Sequence, residues 1–462
     1  MKHSRSAVHQ KTHALPLLRF DDCALTSFAG LVIVQALLSR LQLKERLRAC
    51  MSHLPAKAIF GHHVVILLLV VHLWLGYREL RDLRYYRDDI LVQRLLGLRC
   101  LPDVATVSRA LASADAASVA KLRRLCRELV VTRLRTLGLR RLTLDFDGSV
   151  LSTSRHAEGS AVGFNKQKKG ARSYYPLFCT VAQVGQVFDV LHRPGNVHDS
   201  HDAQQFIRDC VQRLRSALPG VRLEARLDSA FFSQDILRLL DTAGVEFTIS
   251  VPFERLAALK TLVERRRHWW PFDRNWAYFE QRWQPKSWAA PARFVFLRQR
   301  VVQQHKGPLQ LDLFVPHQLG YEFTVLVTNK RTWVRHVVAF HHGRGAQEKL
   351  FGELKTHVQL DYVPVTTCVG NQLFLWSAVL AHNLARELQM AAAPPQRATT
   401  AKRAALWVFQ ELHTLRRNLL QRAGRLTRPA GRLTLTMNAN AAVRDELLHY
   451  LHALGAQEPI AT

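Results

Sequence analysis

The chain has 462 residues, 48% of them hydrophobic, enough for two to four folding units with a buried core and too apolar for a disordered chain. Lys and Arg total 65 against 36 Asp and Glu, a formal net charge of +29. That field draws polyanions, and nucleic acid fits better than an anionic membrane because the cations spread through folded-looking segments instead of flanking one hydrophobic anchor. The seven cysteines are odd in number and none stands in a Cys-x-x-Cys pair, which argues against a disulfide framework or a cysteine zinc site and fits a reducing cytosol.

Met1 to Arg19 is polar and basic, without the apolar stretch of a secretory signal. Residues 1–135 read as mostly helical, with apolar residues at helical spacing through Leu31–Leu47, Ala58–Leu75 and Val119–Leu137. The unbroken apolar run Val64–Val71 lies in a segment without Lys, Arg, Asp or Glu, Ala58–Tyr77. About 20 apolar residues can span a bilayer. Here His62, His63 and His72 interrupt, and the segment is alone, so a buried helix and no membrane partner are expected. Pro102-Asp103 starts a helix with Val104, Val107 and Leu111 on one face. Thr106, Ser108 and Arg109 on the other could face DNA, as in a helix-turn-helix, or simply solvate an amphipathic helix.

Near residue 141 the period changes to two. Leu142, Leu144 and Phe146 alternate with Thr143, Asp145 and Asp147, as in a half-buried strand. Pro176–Leu191 reads as two strands with Gly185 at the turn, Asp202–Leu218 as a helix, Val221–Asp228 as a strand, Ser233–Ala243 as a helix and Val245–Val251 as a strand. This is an α/β layer. Residues 253–335, rich in Trp and Arg and then in β-branched runs, read as a largely β insertion. Helical patterning returns at 342–357 and 371–391. After a linker at 392–400 comes a basic tail with a hairpin near 425–437.

Asp145 or Asp147, together with Asp228, sits at a strand end, where carboxylates are well placed to hold Mg²⁺, a hard cation that prefers oxygen. Asp147-Gly148 could equally be a turn former. In a helix over 342–357, Glu348 lies about 40° and Lys355 about 20° from Arg344, while Glu353 points about 180° away and is expected to face solvent or another domain. A carboxylate flanked by two cations suits a metal and phosphate site, although a surface stripe of ion pairs has the same spacing.

Arg344, three residues, Glu348, six residues, Lys355 resembles the Tyr–Arg–Glu–Lys signature of DDE-type insertion-sequence transposases (the insertion-sequence-4-like superfamily, 1380 group), with His341 at the Tyr position. Leu144-Asp-Phe-Asp147-Gly-Ser149 and Arg226-Leu-Asp228-Ser-Ala resemble the segments carrying that family's first and second Asp. The hydroxyl two residues after Asp147 favours it over Asp145, although period two puts both on one face. The resemblance implies an RNase H-like catalytic core with a β-rich insertion, a helical N-terminal region and a helical C-terminal tail. Expected units are 1–135, 136–252, 253–335, 336–391 and 392–462. It also implies two Mg²⁺ ions, replaceable by Mn²⁺, on Asp147, Asp228 and Glu348. The expected partners are terminal inverted repeats and target DNA, bound by a homodimer in the bacterial cytoplasm at the nucleoid. Expected DNA contacts are Arg344, Lys355 and His341, with Lys166, Lys168, Lys169 and Arg172 after the first strand. Those four could instead form a solvated basic loop. Trp269 and Trp270, amid Arg265–Arg267, could stack on unpaired bases or form a Trp-rich core. His198-Asp199-Ser200-His201-Asp202 has metal-ligand residue types but reads as a polar helix start. A plain metal-dependent nuclease and an inactive transposase-derived DNA-binding protein are the competing readings.

Overall fold

The computed structural model describes residues 15, 17–55, 60–153, 156–163, 165, 168–197, 202–300 and 321–456. After a short strand β1 (Leu25–Thr26) the chain folds into α1 (Leu31–Arg40), α2 (Leu43–Cys50), α3 (His62–Leu75), α4 (Ile90–Leu96), α5 (Val104–Ala112) and α6 (Ala116–Leu137). Asp89, Asp103 and Asp115 start the last three by accepting hydrogen bonds from first-turn N–H groups, which have no partner inside the helix. Helix α3 is buried on nearly every side, which is why its sequence is apolar without a face. Among the described residues no helix is long and apolar enough to cross a membrane.

The strand expected at residue 142 is β2 (Arg141–Gly148). Beside it stands a small sheet of β3 (Leu151–Ser152), β4 (Ala161–Val162) and β5 (Arg172–Tyr174). Then come β6 (Leu177–Val181), β7 (Gln186–Leu191), α7 (Ala203–Ala217), β8 (Arg222–Leu227), α8 (Gln234–Thr242), β9 (Glu246–Ser250), α9 (Ala257–Arg265), β10 (Trp270–Pro271), β11 (Trp276–Trp283), β12 (Ala292–Arg300) and β13 (Tyr321–Thr328). The large sheet runs β10-β11-β12-β13-β9-β8-β2-β6-β7, with β2, β8 and β9 parallel and the flanking strands antiparallel. The strands of 253–335 thus continue the main sheet: β13 pairs with β9, Leu326 opposite Ser250, and covers an edge that would otherwise leave N–H and C=O groups unpaired.

Both faces of β2 are covered, so the strand is not the half-exposed one its alternation suggests. Leu142, Leu144 and Phe146 pack with Phe206 and Ile207 of α7 and Ile236 of α8. On the other side Phe178 meets Phe351, ring to ring at 5.1 Å. Burying each such side chain stabilises by roughly 1.5–3 kcal/mol. The helix expected over 342–357 is α11 (Gly345–His357), and a further helix, α10 (Val334–His342), precedes it across Gly343-Arg344. They are followed by α12 (Cys368–Ala392), a short helix α13 (Leu412–Leu415) continuing into a wider turn at Arg416–Leu420, the hairpin β14 (Gly424–Thr427) and β15 (Thr434–Met437), and α14 (Ala441–Ala453). The tail folds back onto the beginning of the chain. Strand β14 pairs with β1, and Leu415, Leu419 and Leu447 share one core with Leu31, Val34 and Leu67.

Candidate active site

Parallel pairing of β2 with β8 sets Asp145 opposite Arg226 and Phe146 opposite Leu227. The next residues, Asp147 and Asp228, therefore occupy matching positions at the C-terminal ends of strands that lie about 4.8 Å apart. Asp145 and Arg226 form a buried two-pronged ion pair, Nε to Oδ1 at 2.5 Å and Nη2 to Oδ2 at 2.7 Å. Asp145 is only 2% exposed, and burial pushes its carboxyl upward while Arg226 opposes the shift. One pleat further on, the same face of the sheet presents Asp147 and Asp228. Asp147 accepts from the Gly148 N–H at 2.8 Å, and Asp228 from the Ala230 N–H at 2.9 Å.

The junction of α10 and α11 lies over this face. Arg226 donates to the Phe340 carbonyl at 3.2 Å, and Gln347 Nε2 donates to the Asp145 carbonyl at 3.1 Å. Gly343 permits the approach: a Cβ there would sit 2.2 Å from an Arg226 guanidinium nitrogen. Arg344, capping α11, reaches Asp147 at 3.1 Å and Glu348 at 3.9 Å. Its cation thus links the first strand-end carboxylate to the helix carboxylate. Glu348 is the open member, its side chain 71% exposed. Among the described residues no three His, Cys, Asp or Glu side chains converge tightly enough to chelate an ion as they stand. The donor set nevertheless fits a hard divalent cation: only oxygen ligands, two of them side by side and each steadied by a backbone N–H.

Other expected site residues lie elsewhere or serve otherwise. His341 is 7% exposed, and its Nδ1 and Nε2 meet Thr248 Oγ1 at 3.0 Å and Ser250 Oγ at 2.8 Å. Both nitrogens are occupied inside the fold, so it is not presented to DNA. Burial, reinforced by nearby Arg344, lowers its pKa to about 3. Lys355 shares the angular face of Arg344 but stands about 16 Å further along the helix axis. It is half-buried, and burial lowers its pKa while Asp361 opposes this. Glu353 does not face solvent: it is buried and ion-paired with Arg386 of α12. Trp269, 7% exposed, is a core residue against Phe279 with Arg298 over its ring, whereas Trp270 is 54% exposed. Lys168 and Lys169 are exposed, and Arg172 is tied to Ser160. Lys166 and residues 198–201 lie outside the described residues.

The family profile described as Transposase DDE domain group 1 matches residues 11–459. The chain belongs to this family. Among solved structures, the piggyBac transposase synaptic complex with hairpin DNA is similar over 85% of this chain and 80% of its own, at 10% identity and a TM-score of 0.40. The Mos1 mariner paired end complex with Mn is similar over 36% of this chain and 56% of its own, at 14% identity and a TM-score of 0.17. No curated protein matches the chain. The site contains residues that motif reading passed over, chiefly Arg226, Gln347 and Gly343. One signal for Arg226 was available. It precedes Asp228 by the same two residues that separate Asp145 from Asp147, so parallel neighbours in that register must pair Asp145 with Arg226.

Proposed function

We propose that this member of the DDE family is an active DNA transposase that cleaves transposon ends and joins the freed 3′ ends to target DNA. The observation that carries this is the strand register that sets Asp147 beside Asp228, with Arg344 linking Asp147 to Glu348. We assign the three carboxylates as the holders of two divalent ions, Mg²⁺ or Mn²⁺. Such ions, when bound, supply a more acidic water and a counter-charge for the departing oxygen. The chain's own residues do the rest. The Asp145–Arg226 pair fixes the register of the two strands. The backbone N–H groups of Gly148 and Ala230 orient the two carboxylates. Arg344 offsets the charge of Asp147 and Glu348 and stands where a phosphate oxygen can take one of its N–H groups. Cutting and joining are the same displacement at phosphorus, with water as nucleophile first and a 3′ hydroxyl second.

Under this reading the sheet with its covering helices is an RNase H-like core, and the chain falls in the insertion-sequence-4-like, 1380 group. The partner is DNA, held as paired ends by a homodimer, with Lys168, Lys169, Lys355 and exposed Trp270 as further contacts. The test is incubation with Mg²⁺ and DNA carrying the element's own ends, with Asp228→Asn beside the wild type. End-specific nicks and joined products are expected from the wild type, and DNA binding without either product from the variant. Nicks without joined products would make the chain a nuclease. Full activity in a chelator would overturn the metal assignment.

A further inference from the structure

Between Glu411 and Asp445 the sequence holds seven arginines and no Asp, Glu or Lys. Three of them are accounted for inside the molecule or at its surface. Arg416 is buried, donating to the carbonyls of Trp74 at 2.8 Å, Leu73 at 3.0 Å and His357 at 3.1 Å, while Arg425 pairs with Asp22 and Arg444 with Asp445. Arg428 and Arg432, at the tip of the β14–β15 hairpin, are exposed and make no ion pair among the described residues. The hairpin is anchored by β1 and faces α4 and the turn after it. Between them runs a groove of about 600 Å³ lined by Arg94, Arg99 and Arg428 with Thr427, Leu98 and Leu433. No Asp or Glu lines it. A second groove, lined by Lys44 and Arg48, meets the first at Gly97-Leu98, so the cations continue around the turn. The groove between α7 and α8 also has three arginines but includes Asp235.

We infer that the hairpin tip and the α4 turn form a clamp for the phosphate backbone of duplex DNA, on the helical body and not on the sheet that carries Asp147 and Asp228. This rests on the transposase reading. Guanidinium forks match phosphate oxygens in pairs, which suits a segment built with arginine and no lysine. An open groove lined by arginines from both elements, with apolar Leu98 and Leu433 beside them, fits a sugar-phosphate ridge. Such contacts fix position on the duplex without reading its sequence.

The test compares the full chain with the triple variant Arg94→Ala, Arg99→Ala, Arg428→Ala and with a control triple, Arg208→Ala, Arg215→Ala, Arg238→Ala, in the α7–α8 groove. Binding to a fluorescent duplex is measured across salt concentrations, with a melt of each protein. The clamp variant should lose at least tenfold in affinity at low salt, and its slope of log affinity against log salt should become shallower by about 2 to 3, at about 0.9 per lost phosphate contact. Arg428→Lys should retain the slope. Wild-type affinity and slope in the clamp variant would overturn the proposal, and so would equal losses in the two triples, because binding would then follow net charge alone. Failure of the wild type to bind DNA at all would sink the transposase reading itself.

Discussion

Glu348 and Glu353 stand five residues apart on one helix and should fail in different ways when changed. The helical wheel places them about 140° apart, and they do diverge. What the wheel omits is the neighbour: the far side of α11 packs on α12, where Arg386 waits under the Phe409 ring at 4.4 Å and pairs with Glu353. Glu353→Gln leaves that guanidinium buried without its carboxylate. The expected loss is about 3–5 kcal/mol of stability, read as a lower denaturation midpoint, with nicking retained where the protein stays folded. Glu348→Gln should melt like the wild type, because its carboxylate is exposed and its nearest cation is 3.9 Å away, yet it should neither cut nor join DNA. The two aspartates of β2 divide in the same way. Asp145→Asn breaks the buried pair with Arg226 and should destabilise strongly; Asp147→Asn should fold and be inactive. Inactivity with an unchanged melt in Asp145→Asn would exchange the roles assigned to the two.

At the level of elements, the first helix depends on the last quarter of the chain. Gly30 opens α1 with ordinary helical backbone (φ −67°), but a Cβ there would lie 1.9 Å from the Leu419 carbonyl oxygen. Gly30→Ala must therefore push α1 off the Arg416–Leu420 turn, at a cost of about 1–3 kcal/mol or more. Its melting temperature should fall, and limited proteolysis should release the tail early; a wild-type digestion pattern would mean that the two elements are not pressed together. Gly138→Ala is the contrast. No atom lies within 4 Å of its Cβ position, so only the left-handed φ of +56° resists the change. This dependence was not legible in the sequence, because a helix-forming pattern names the buried face and not what buries it. Strand and helix positions were legible: Asp103 and Ser233 cap helices that begin where the sequence pattern starts them, and Gly185 turns where two alternating runs meet. That acidic residues stand at the ends of β2 and β8 was legible too, but alternation puts Asp145 and Asp147 on one face and could not choose between them. Pairing was not. Nothing local announced that β13 would extend the sheet at β9, that Trp269 would turn inward while Trp270 faced out, or that His341 would be held between Thr248 and Ser250. Each is decided by a partner remote in sequence.

Across the whole molecule, four histidines among the described residues, His72, His341 and His382 buried and His192 half-buried, tie stability to pH. His72 sits inside the helical core against the Tyr86 hydroxyl at 2.8 Å, and His382 of α12 meets the Gly185 carbonyl at 3.0 Å. His192 lies against Tyr174, and His341 of α10 turns its ring onto Thr248 and Ser250 of the sheet. Burial lowers all four, to about 4 for His72 and His192 and to about 3 for His341 and His382, with Arg386 adding to the effect on His382. A histidine with a depressed pKa stabilises the fold fully above the unfolded value near 6.5, and that contribution is lost as pH falls from there towards the folded value. Each loses about 1.4 kcal/mol per pH unit in that window, so over a single pH unit the four together lose about the low end of the roughly 5–15 kcal/mol that holds a typical domain. The formal charge of +29 pulls the same way in acid by self-repulsion, but salt screens charge repulsion between exposed groups and leaves buried sites nearly untouched. Denaturation midpoints measured from pH 7.5 to 5 at low and at high salt should therefore fall steeply below pH 6.5 in both series. A fall that disappears in high salt would assign the acid sensitivity to surface charge. A flat profile at both ionic strengths would mean that these imidazoles take up protons in the folded protein as readily as in the unfolded chain.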